Sequence, residues 1–311
     1  MSSGSGKILV IRGGAIGDFI LTLPAIAALR RQFPKAPIEV LGYPHIAQLA
    51  LAGGLVDRVR PIEARRLAGF FARGGDLAPD LVDYFSGFDI ILSYLYDPDA
   101  IFQSNVVSCG CGQFIAAQHR PDENELTHAT KVYLKPLERL AIFDADPVPR
   151  LPLGSQLPTF NPQLALHPGS GSESKNWPEA KWDELLGRLV AESEMNLLLV
   201  GGEAEGERLQ RLAEKIPSPR CQLARNLPLA DLAVRLQSSV GFVGHDSGIS
   251  HLAAALGLPC VVLWAHTREE IWRPQGRQVA VLRADAGLPG LEVQRVLTAV
   301  LGIFSSASVA R

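Results

Sequence analysis

Short apolar segments rich in β-branched residues alternate with longer segments of helical periodicity along nearly all of this 311-residue chain. This alternation is typical of a parallel sheet covered by helices on both faces, and it disfavours an all-β or an all-α fold. The predicted strands are residues 7–11, 38–41, 58–61, 89–93, 113–116, 164–167, 196–200, 240–243 and 261–264. The predicted helices of the second half are residues 179–192, 205–215, 229–237 and 250–256.

The strands form two series, separated by a proline-rich segment at residues 144–162. High proline density without apolar periodicity favours a linker between domains. We therefore predict an α/β chain of two doubly wound parallel-sheet domains, 1–156 and 157–311, that face a central cleft. Ligands of such sheets bind at the carboxyl ends of the strands, so the residues that follow each strand are the candidates for function.

The composition is that of a globular protein, with 47% hydrophobic and 20% charged residues and a net charge of −2. This charge gives no support to a nucleic-acid partner. Residues 1–6 are small and polar, like a flexible leader and unlike a signal peptide, and the apolar run 252–265 is too short to span a bilayer. Cys109 and Cys111 lack a second pair at zinc spacing, so we interpret them as buried thiols in a reducing compartment. We expect a soluble protein without a metal site.

The first predicted strand ends in RGGAIGD, residues 12–18. Arg12 stands where a dinucleotide-binding turn has its first glycine, so the fingerprint of that turn is broken. Asp18 begins the following helix, where the helix dipole favours its ionised form, and an ionised aspartate that faces a cleft can accept a proton from a hydroxyl group. The alternative is an aspartate that only stabilises its own helix.

Two further strand ends carry groups suited to a nucleotide. In HPGSGSESKNWP, residues 167–178, Ser170, Gly171 and Ser172 supply N–H and hydroxyl donors for phosphate oxygens, and Lys175 adds a positive charge. In VGGEAE, residues 200–205, an acidic side chain such as Glu205 is suited to ribose hydroxyls. An ordinary polar turn and a solvated first-turn glutamate remain open as alternatives.

The fourth strand end, HDSGISHLAAALGLP at residues 245–259, is the hardest to explain by structure alone. Asp246, Ser247 and Gly248 form the turn, and His251 lies on the opening turn of an apolar helix. Backbone N–H groups, a hydroxyl and an imidazole thus meet at one point, which is an arrangement suited to an anion.

These segments, with RGGAIGDFILTLPAIAALRRQFP at residues 12–34, resemble the ordered signatures of the family 9 glycosyltransferases, which include the heptosyltransferases of lipopolysaccharide core assembly. The resemblance extends from about residue 7 to residue 301. It implies a GT-B fold, with the acceptor held by the domain 1–156 and the nucleotide sugar by the domain 157–311. It also implies an inverting transfer of heptose, or a related sugar, from an ADP-sugar to a lipopolysaccharide core or similar glycan, without a metal or other cofactor.

The resemblance also assigns roles to residues of this chain. Asp18 would be the general base on the acceptor hydroxyl. The donor would be held by Ser170, Gly171, Ser172, Lys175, Glu205, Asp246, Ser247, Gly248 and His251. The acceptor would be held by Gly14, Arg65, Arg66 and Arg120.

The basic segment 59–75 carries four arginines around Leu67, Phe70 and Phe71. Such a segment is also suited to an anionic membrane surface, which would place a cytoplasmic enzyme at the inner membrane as a peripheral protein. A solvated helix face is the simpler alternative for this segment.

The chain departs from the family pattern at residues 264–267, where WAHT replaces the Gly-Pro-Thr common among its members. This loop lies close to the donor in the family, so the sugar and the base of the donor stay open. Two other activities share parts of the pattern: a GT-B-like sugar-nucleotide epimerase and a non-catalytic protein that binds a nucleotide sugar. A nicotinamide oxidoreductase is disfavoured by the broken glycine fingerprint.

Overall fold

The computed structural model of the chain describes residues 6–154 and 163–309, apart from the side chains of residues 204 and 303–309. The chain separates into two units, Met1–Val148 and Pro149–Arg311, which we call the N-terminal unit and the C-terminal unit. The predicted boundary between residues 156 and 157, and residues 1–5 of the predicted leader, lie outside the described residues.

The N-terminal unit contains one parallel sheet of five strands. The strands are β1 (Ile8–Arg12), β2 (Ile38–Gly42), β3 (Arg58–Pro61), β4 (Ile90–Ser93) and β5 (Gln113–Ala116). The helices are α1 (Ile16–Gln32), α2 (Pro44–Ala52), α3 (Pro79–Ser86), α4 (Ile101–Ser108) and α5 (Ala129–Leu134), with 3-10 helices at Arg65–Phe71 and Lys135–Leu140. The strand order is β3-β2-β1-β4-β5, so β1 is central, and all five of its residues are buried.

The C-terminal unit contains a second parallel sheet, of six strands. The strands are β6 (Gln163–Leu166), β7 (Asn196–Gly201), β8 (Cys221–Arg225), β9 (Gly241–His245), β10 (Cys260–Leu263) and β11 (Val279–Leu282). The helices are α6 (Glu179–Glu192), α7 (Gly206–Ala213), α8 (Leu229–Gln237), α9 (Gly248–Ala255), α10 (Glu269–Trp272) and α11 (Val293–Val309), with 3-10 helices at Glu173–Lys175, Glu203–Glu205, Ser218–Arg220 and Leu288–Gly290. The order is β11-β10-β9-β6-β7-β8, so β6 and β9 are neighbours at the centre.

Each unit has its own apolar core. In the N-terminal unit, Phe70, Phe85 and Phe102 pack in one cluster with residues of β1. Cys109 and Cys111 border this cluster and are free thiols that are only half-buried. The prediction that these two thiols are buried is therefore wrong in degree, because α4 ends at Ser108 and the turn at Gly110, with a φ of +82°, is exposed.

All nine predicted strands are confirmed, with ends displaced by no more than two residues. Strands β8 and β11, the two edge strands of the second sheet, were not predicted from the sequence. An edge strand pairs on one side only and stays partly exposed, so it does not need a continuous apolar run. The residues of β8 and β11 are accordingly mostly half-buried or exposed.

Candidate active site

A glycine turn between β1 and α1 places Asp18 at the carboxyl end of the first sheet. Gly14 has a φ of +99°, in the left-handed region that favours glycine. A Cβ atom at Gly14 would lie 3.1 Å from Asp18 Oδ2. The same Oδ2 accepts a hydrogen bond of 3.1 Å from the backbone N–H of Ala15. The turn therefore fixes the Asp18 carboxylate while leaving its side chain 29% exposed.

Arg12, at the end of the central strand, contacts both the backbone and the carboxylate of this aspartate. The Arg12 side chain is buried, its Nη1 donates to the carbonyl of His119 at 2.8 Å, and its Nη2 donates to the carbonyl of Asp18 at 3.2 Å. Its guanidinium lies 4.5 Å from the ring centroid of Tyr133, and Nη2 lies 3.6 Å from Asp18 Oδ1. The residue that breaks the dinucleotide fingerprint is thus a buried cation beside the candidate base.

His119 also lies beside Arg12 and Asp18, and it was not among the residues predicted from the sequence. It follows β5 by three residues, and its ring centroid lies 4.7 Å from that of Tyr96. Partial burial, and then the positive charges of Arg12 and Arg120, lower the pKa of His119 against an opposing effect of Asp18. The only signal available in the sequence was its position just after a strand, in a region without a motif.

The predicted acceptor arginines follow the two edge strands of the first sheet. Arg65 and Arg66 begin the 3-10 helix that comes after β3, and both side chains are exposed, with Arg66 paired to Asp80. Arg120 comes after β5 at the opposite edge, where its Nη2 lies 2.8 Å from Glu123 Oε1. The carboxyl end of the sheet thus carries basic residues after both edge strands and Asp18 after the central one.

In the C-terminal unit, three separate segments meet at one carboxylate. Lys175 Nζ lies 2.7 Å from Asp246 Oδ2, and the hydroxyl of Thr267 donates to the same oxygen at 2.5 Å. The Asp246 side chain is only 9% exposed, whereas that of Lys175 is 24% exposed. Lys175 comes from the loop after β6, Asp246 follows β9, and Thr267 comes from the loop after β10.

The loop after β6 contains hydrogen bonds between its own residues. Ser170 Oγ lies 2.8 Å from the carbonyl oxygen of Ser172 and 2.8 Å from Asn176 Oδ1. Gly171 has a φ of +75°, so a residue with a side chain would be strained there. Ser172 and Gly171 are exposed in this loop, which leaves their polar groups accessible to a ligand.

Glu205 packs directly against this loop. Its carboxylate accepts a hydrogen bond of 2.9 Å from the N–H of Gly202, and the residue is 7% exposed. A Cβ atom at Gly169 would lie 2.1 Å from Glu205 Oε1, so only glycine allows the two segments to approach so closely. The motifs at residues 167–178 and 200–205 are therefore in contact.

Two buried histidines lie at the turn after β9: His245 is the last residue of β9, and His167 follows the neighbouring strand β6. His245 Nε2 accepts from the N–H of Trp177 at 2.8 Å, so its Nδ1 carries the proton toward the carbonyl of Gly169, 3.2 Å away. Burial lowers the pKa of His245 to about 3 and that of His167 to about 4. Both rings are thus neutral near pH 7 and shape the turn without adding charge.

Ser247 is the N-cap of α9, Gly248 begins this helix, and His251 is buried in its first turn. The hydroxyl of Ser247 lies 3.5 Å from His167 Nδ1. The predicted donor residues of the C-terminal unit therefore lie around the ends of three neighbouring strands, β7, β6 and β9. His245 begins the motif at residues 245–259, but its hydrogen bonds to Trp177 and Gly169 were not predicted.

Within residues 6–154 and 163–309, no group of three or more His, Cys, Asp or Glu side chains could hold a metal ion. No helix in the same part of the chain combines the length and the apolar character needed to cross a bilayer.

Two parallel α/β units with polar groups at the carboxyl ends of their strands are the architecture of the GT-B fold. The profile of glycosyltransferase family 9 (heptosyltransferase) matches residues 138–299, more than half of the sequence. The chain belongs to this family and is a glycosyltransferase.

Full-length comparisons agree with this assignment. The chain is 33% identical over 321 residues to lipopolysaccharide heptosyltransferase 1 of Pseudomonas aeruginosa, with 90% of this chain and 84% of that protein aligned. Its fold is similar to that of the family 9 glycosyl transferase from Veillonella parvula, with a TM-score of 0.81, 16% identity and coverage of 98% and 99%. It is also similar to the E. coli heptosyltransferase WaaC solved with ADP, with a TM-score of 0.76, 20% identity and coverage of 96% and 99%.

Proposed function

We propose that this enzyme transfers a heptose, or a related sugar, from an ADP-sugar to a lipopolysaccharide core or similar glycan. The name of the Pseudomonas aeruginosa relative, and the ADP bound to the E. coli heptosyltransferase, support this donor and this acceptor class. The observation that carries the proposal is the meeting of Lys175, Asp246 and Thr267 beside the glycine loop, since it offers a mobile cation to a diphosphate.

In this proposal Asp18 is the general base. The acceptor hydroxyl loses its proton to the Asp18 carboxylate, and its oxygen forms a bond to the anomeric carbon of the donor sugar. The bond between that carbon and the diphosphate oxygen breaks in the same displacement, so the configuration inverts and ADP leaves. Asp18 suits this role because Ala15 and Gly14 fix its carboxylate at a strand end while its side chain stays accessible.

The departing diphosphate needs compensation for the negative charge that develops on it. Lys175 supplies a cation, and Ser170, Gly171 and Ser172 supply hydroxyl and N–H donors. The N-terminus of α9, with Ser247, Gly248 and His251, adds a favourable helix dipole. Glu205 is assigned to the ribose hydroxyls and Asp246 to holding Lys175. This set of donors is the reason for proposing a transfer that does not depend on a metal.

The acceptor is assigned to the N-terminal unit, in the proposed acceptor domain 1–156, and the donor to the domain 157–311. Arg65, Arg66 and Arg120 are suited to acidic groups of the acceptor, and Gly14 leaves space beside Asp18. We place the reaction at the cytoplasmic face of the inner membrane, where the exposed arginines of the segment 59–75 would also meet anionic lipid.

A calorimetric titration with ADP, UDP, GDP and NAD, repeated with EDTA, tests the donor. Tight binding of ADP alone, unchanged by EDTA, is the expected result. The test continues with ADP-heptose and a lipopolysaccharide core that lacks heptose. Transfer of heptose to the core supports the proposal, whereas conversion of the free ADP-sugar without an acceptor would indicate an epimerase. Nucleotide binding without any turnover would indicate a binding protein.

A further inference from the structure

The N-terminal unit has a pocket of about 230 Å³ that the roles assigned above do not use. It lies at the carboxyl ends of β4 and β5, between the segment that leads into α4 and the segment that follows β5. Its walls include Tyr96 and Asp97 from the first segment, Gln103 from α4 itself, and Gln118 and His119 from the second segment.

Two aromatic rings stand at this pocket. Tyr96 is 70% exposed, and its ring is tilted by 59° against the His119 ring. The two rings, with centroids 4.7 Å apart, together present an accessible aromatic surface to the pocket. The C–H face of a pyranose ring is apolar while its hydroxyls are polar, so a sugar is the kind of ligand that an exposed tyrosine beside polar side chains fits.

The polar groups of the pocket are neutral or already engaged. Gln103 and Gln118 offer amide groups that both donate and accept hydrogen bonds. Asp97 accepts from the N–H groups of Phe102 and Gln103 at 3.2 and 2.9 Å, so its carboxylate serves the start of α4. Among the described residues that line the pocket there is no lysine or arginine. The lining is therefore suited to hydroxyl groups rather than to a phosphate or a carboxylate.

The pocket is also next to the candidate base. The backbone carbonyl of His119 binds Arg12, and Arg12 in turn lies 3.6 Å from Asp18. A ligand in the pocket would contact His119, and the backbone of His119 binds the arginine that lies beside Asp18.

We propose that this pocket is a subsite for a neutral sugar ring of the acceptor, with Tyr96 as its platform and Gln103 and Gln118 as hydrogen-bonding partners. The inference rests on the proposed function in one respect, that the ligand is part of the acceptor glycan. It divides the recognition of the acceptor between a neutral subsite at β4 and β5 and the arginines, which are suited to acidic groups.

Saturation-transfer NMR with the full chain tests the subsite directly. The probes are neutral methyl glycosides of glucose, galactose, mannose and heptose, with glucose 1-phosphate as the anionic comparison. At least one neutral glycoside is expected to bind, and Tyr96→Ala is expected to weaken it roughly threefold to tenfold, the loss typical of an aromatic contact. Tyr96→Phe should keep the binding, because the ring remains.

Phe143→Ala is the matched control, since Phe143 is 71% exposed in the same unit but does not line the pocket. It should bind the glycoside like the unaltered chain. The proposal is overturned if no neutral glycoside binds, if glucose 1-phosphate is preferred, or if Tyr96→Ala binds as well as Phe143→Ala.

Transfer kinetics separate this inference from the proposed function. With ADP-heptose and a core acceptor, Tyr96→Ala should raise the acceptor KM while kcat and the donor KM stay within twofold. Transfer with an unchanged acceptor KM would refute the subsite and leave the function standing. Glycoside binding that depends on Tyr96, in a chain without any transfer from ADP-sugars, would support a sugar subsite and refute the proposed function.

Discussion

Lys175 and Asp246 form an ion pair across 71 residues of sequence, with Nζ 2.7 Å from Oδ2. The carboxylate is nearly buried and also accepts the hydroxyl of Thr267. A carboxylate in this position can hold the ammonium group ready and release it to a more highly charged diphosphate. In the proposed function the pair would have both a structural role and a role in catalysis, and mutation can separate the two.

We predict that Lys175→Met lowers kcat/KM for the donor by about 100-fold, because a positive charge on the leaving diphosphate is lost. It should also lower the free energy of unfolding by about 1–3 kcal/mol, because Asp246 then remains as an uncompensated buried carboxylate. The double variant Lys175→Met with Asp246→Asn should regain stability but not activity. Urea unfolding and donor kinetics measure the two effects.

Lys215→Met is the matched control, because Lys215 pairs with Asp183 at 4.0 Å in the same unit but both side chains are exposed. It should change the stability by less than about 0.5 kcal/mol and leave activity intact. Equal losses of activity in the two lysine variants would contradict the role of Lys175.

We predict that Gly169→Ala weakens ADP binding at least tenfold. The new Cβ would lie 2.1 Å from Glu205 Oε1, so the glutamate or the loop after β6 must move. Gly187→Ala is the control, since Gly187 lies within α6 and a Cβ there meets nothing within 4 Å. That substitution should keep ADP affinity and add up to about 1 kcal/mol of stability from helix propensity. Calorimetric titration measures the ADP affinity of both variants. An affinity unchanged by Gly169→Ala would contradict a donor site at this contact.

We predict that Gly14→Ala lowers kcat much more than Gly54→Ala does. Both glycines have positive φ angles, +99° and +64°, so each alanine costs about 1–2 kcal/mol of backbone strain. Only at Gly14 does the new Cβ approach Asp18 Oδ2, at 3.1 Å, whereas at Gly54 it meets nothing within 4 Å. Transfer rates of the two variants, compared at equal stability loss, isolate the effect on the aspartate. Similar rates would show that the position of Asp18 beside Gly14 does not matter for turnover.

We predict that the C-terminal unit loses stability as the pH falls below about 6.5. Burial lowers the pKa of His245 to about 3 and of His167 to about 4, so the unfolded chain binds protons that the folded unit does not. Stability then rises with pH by about 1.4 kcal/mol per pH unit for each histidine between these values and 6.5, and it is fully present above 6.5.

Tryptophan fluorescence reports this unfolding selectively, because all four tryptophans lie at or after residue 177. His167→Gln should remove one histidine's share of the slope between pH 6 and pH 4.5. A slope that stays the same in this variant would mean that His167 is not buried as a neutral ring.

The sequence carried enough information to predict the sheets and the residues of the strand ends. Buried parallel strands are continuous apolar runs, and the glycines and charged residues after β1, β6 and β9 stand out against them. The edge strands β8 and β11 were not predicted, because their residues are mostly half-buried or exposed and therefore do not form such a run.

The contacts between distant segments could not be predicted from the sequence. Nothing in the residues themselves indicates that Thr267 donates to Asp246, that Gly169 lies against Glu205, or that Arg12 binds the carbonyl of His119. These pairings depend on which strands are neighbours in the folded sheet, and the strand order is a property of the tertiary fold. His119 and its pocket were missed for the same reason.

The most direct test of the account is the transfer rate of Asp18→Asn, measured with ADP-heptose and a core acceptor beside a titration with ADP. Asparagine keeps the shape of the side chain but cannot take up the acceptor proton. The account predicts that kcat falls by about 10²–10⁴ while the Kd for ADP stays within twofold. A rate within fivefold of the unaltered enzyme would contradict Asp18 as the base, and a lost ADP affinity would show that it acts on the fold or the donor instead.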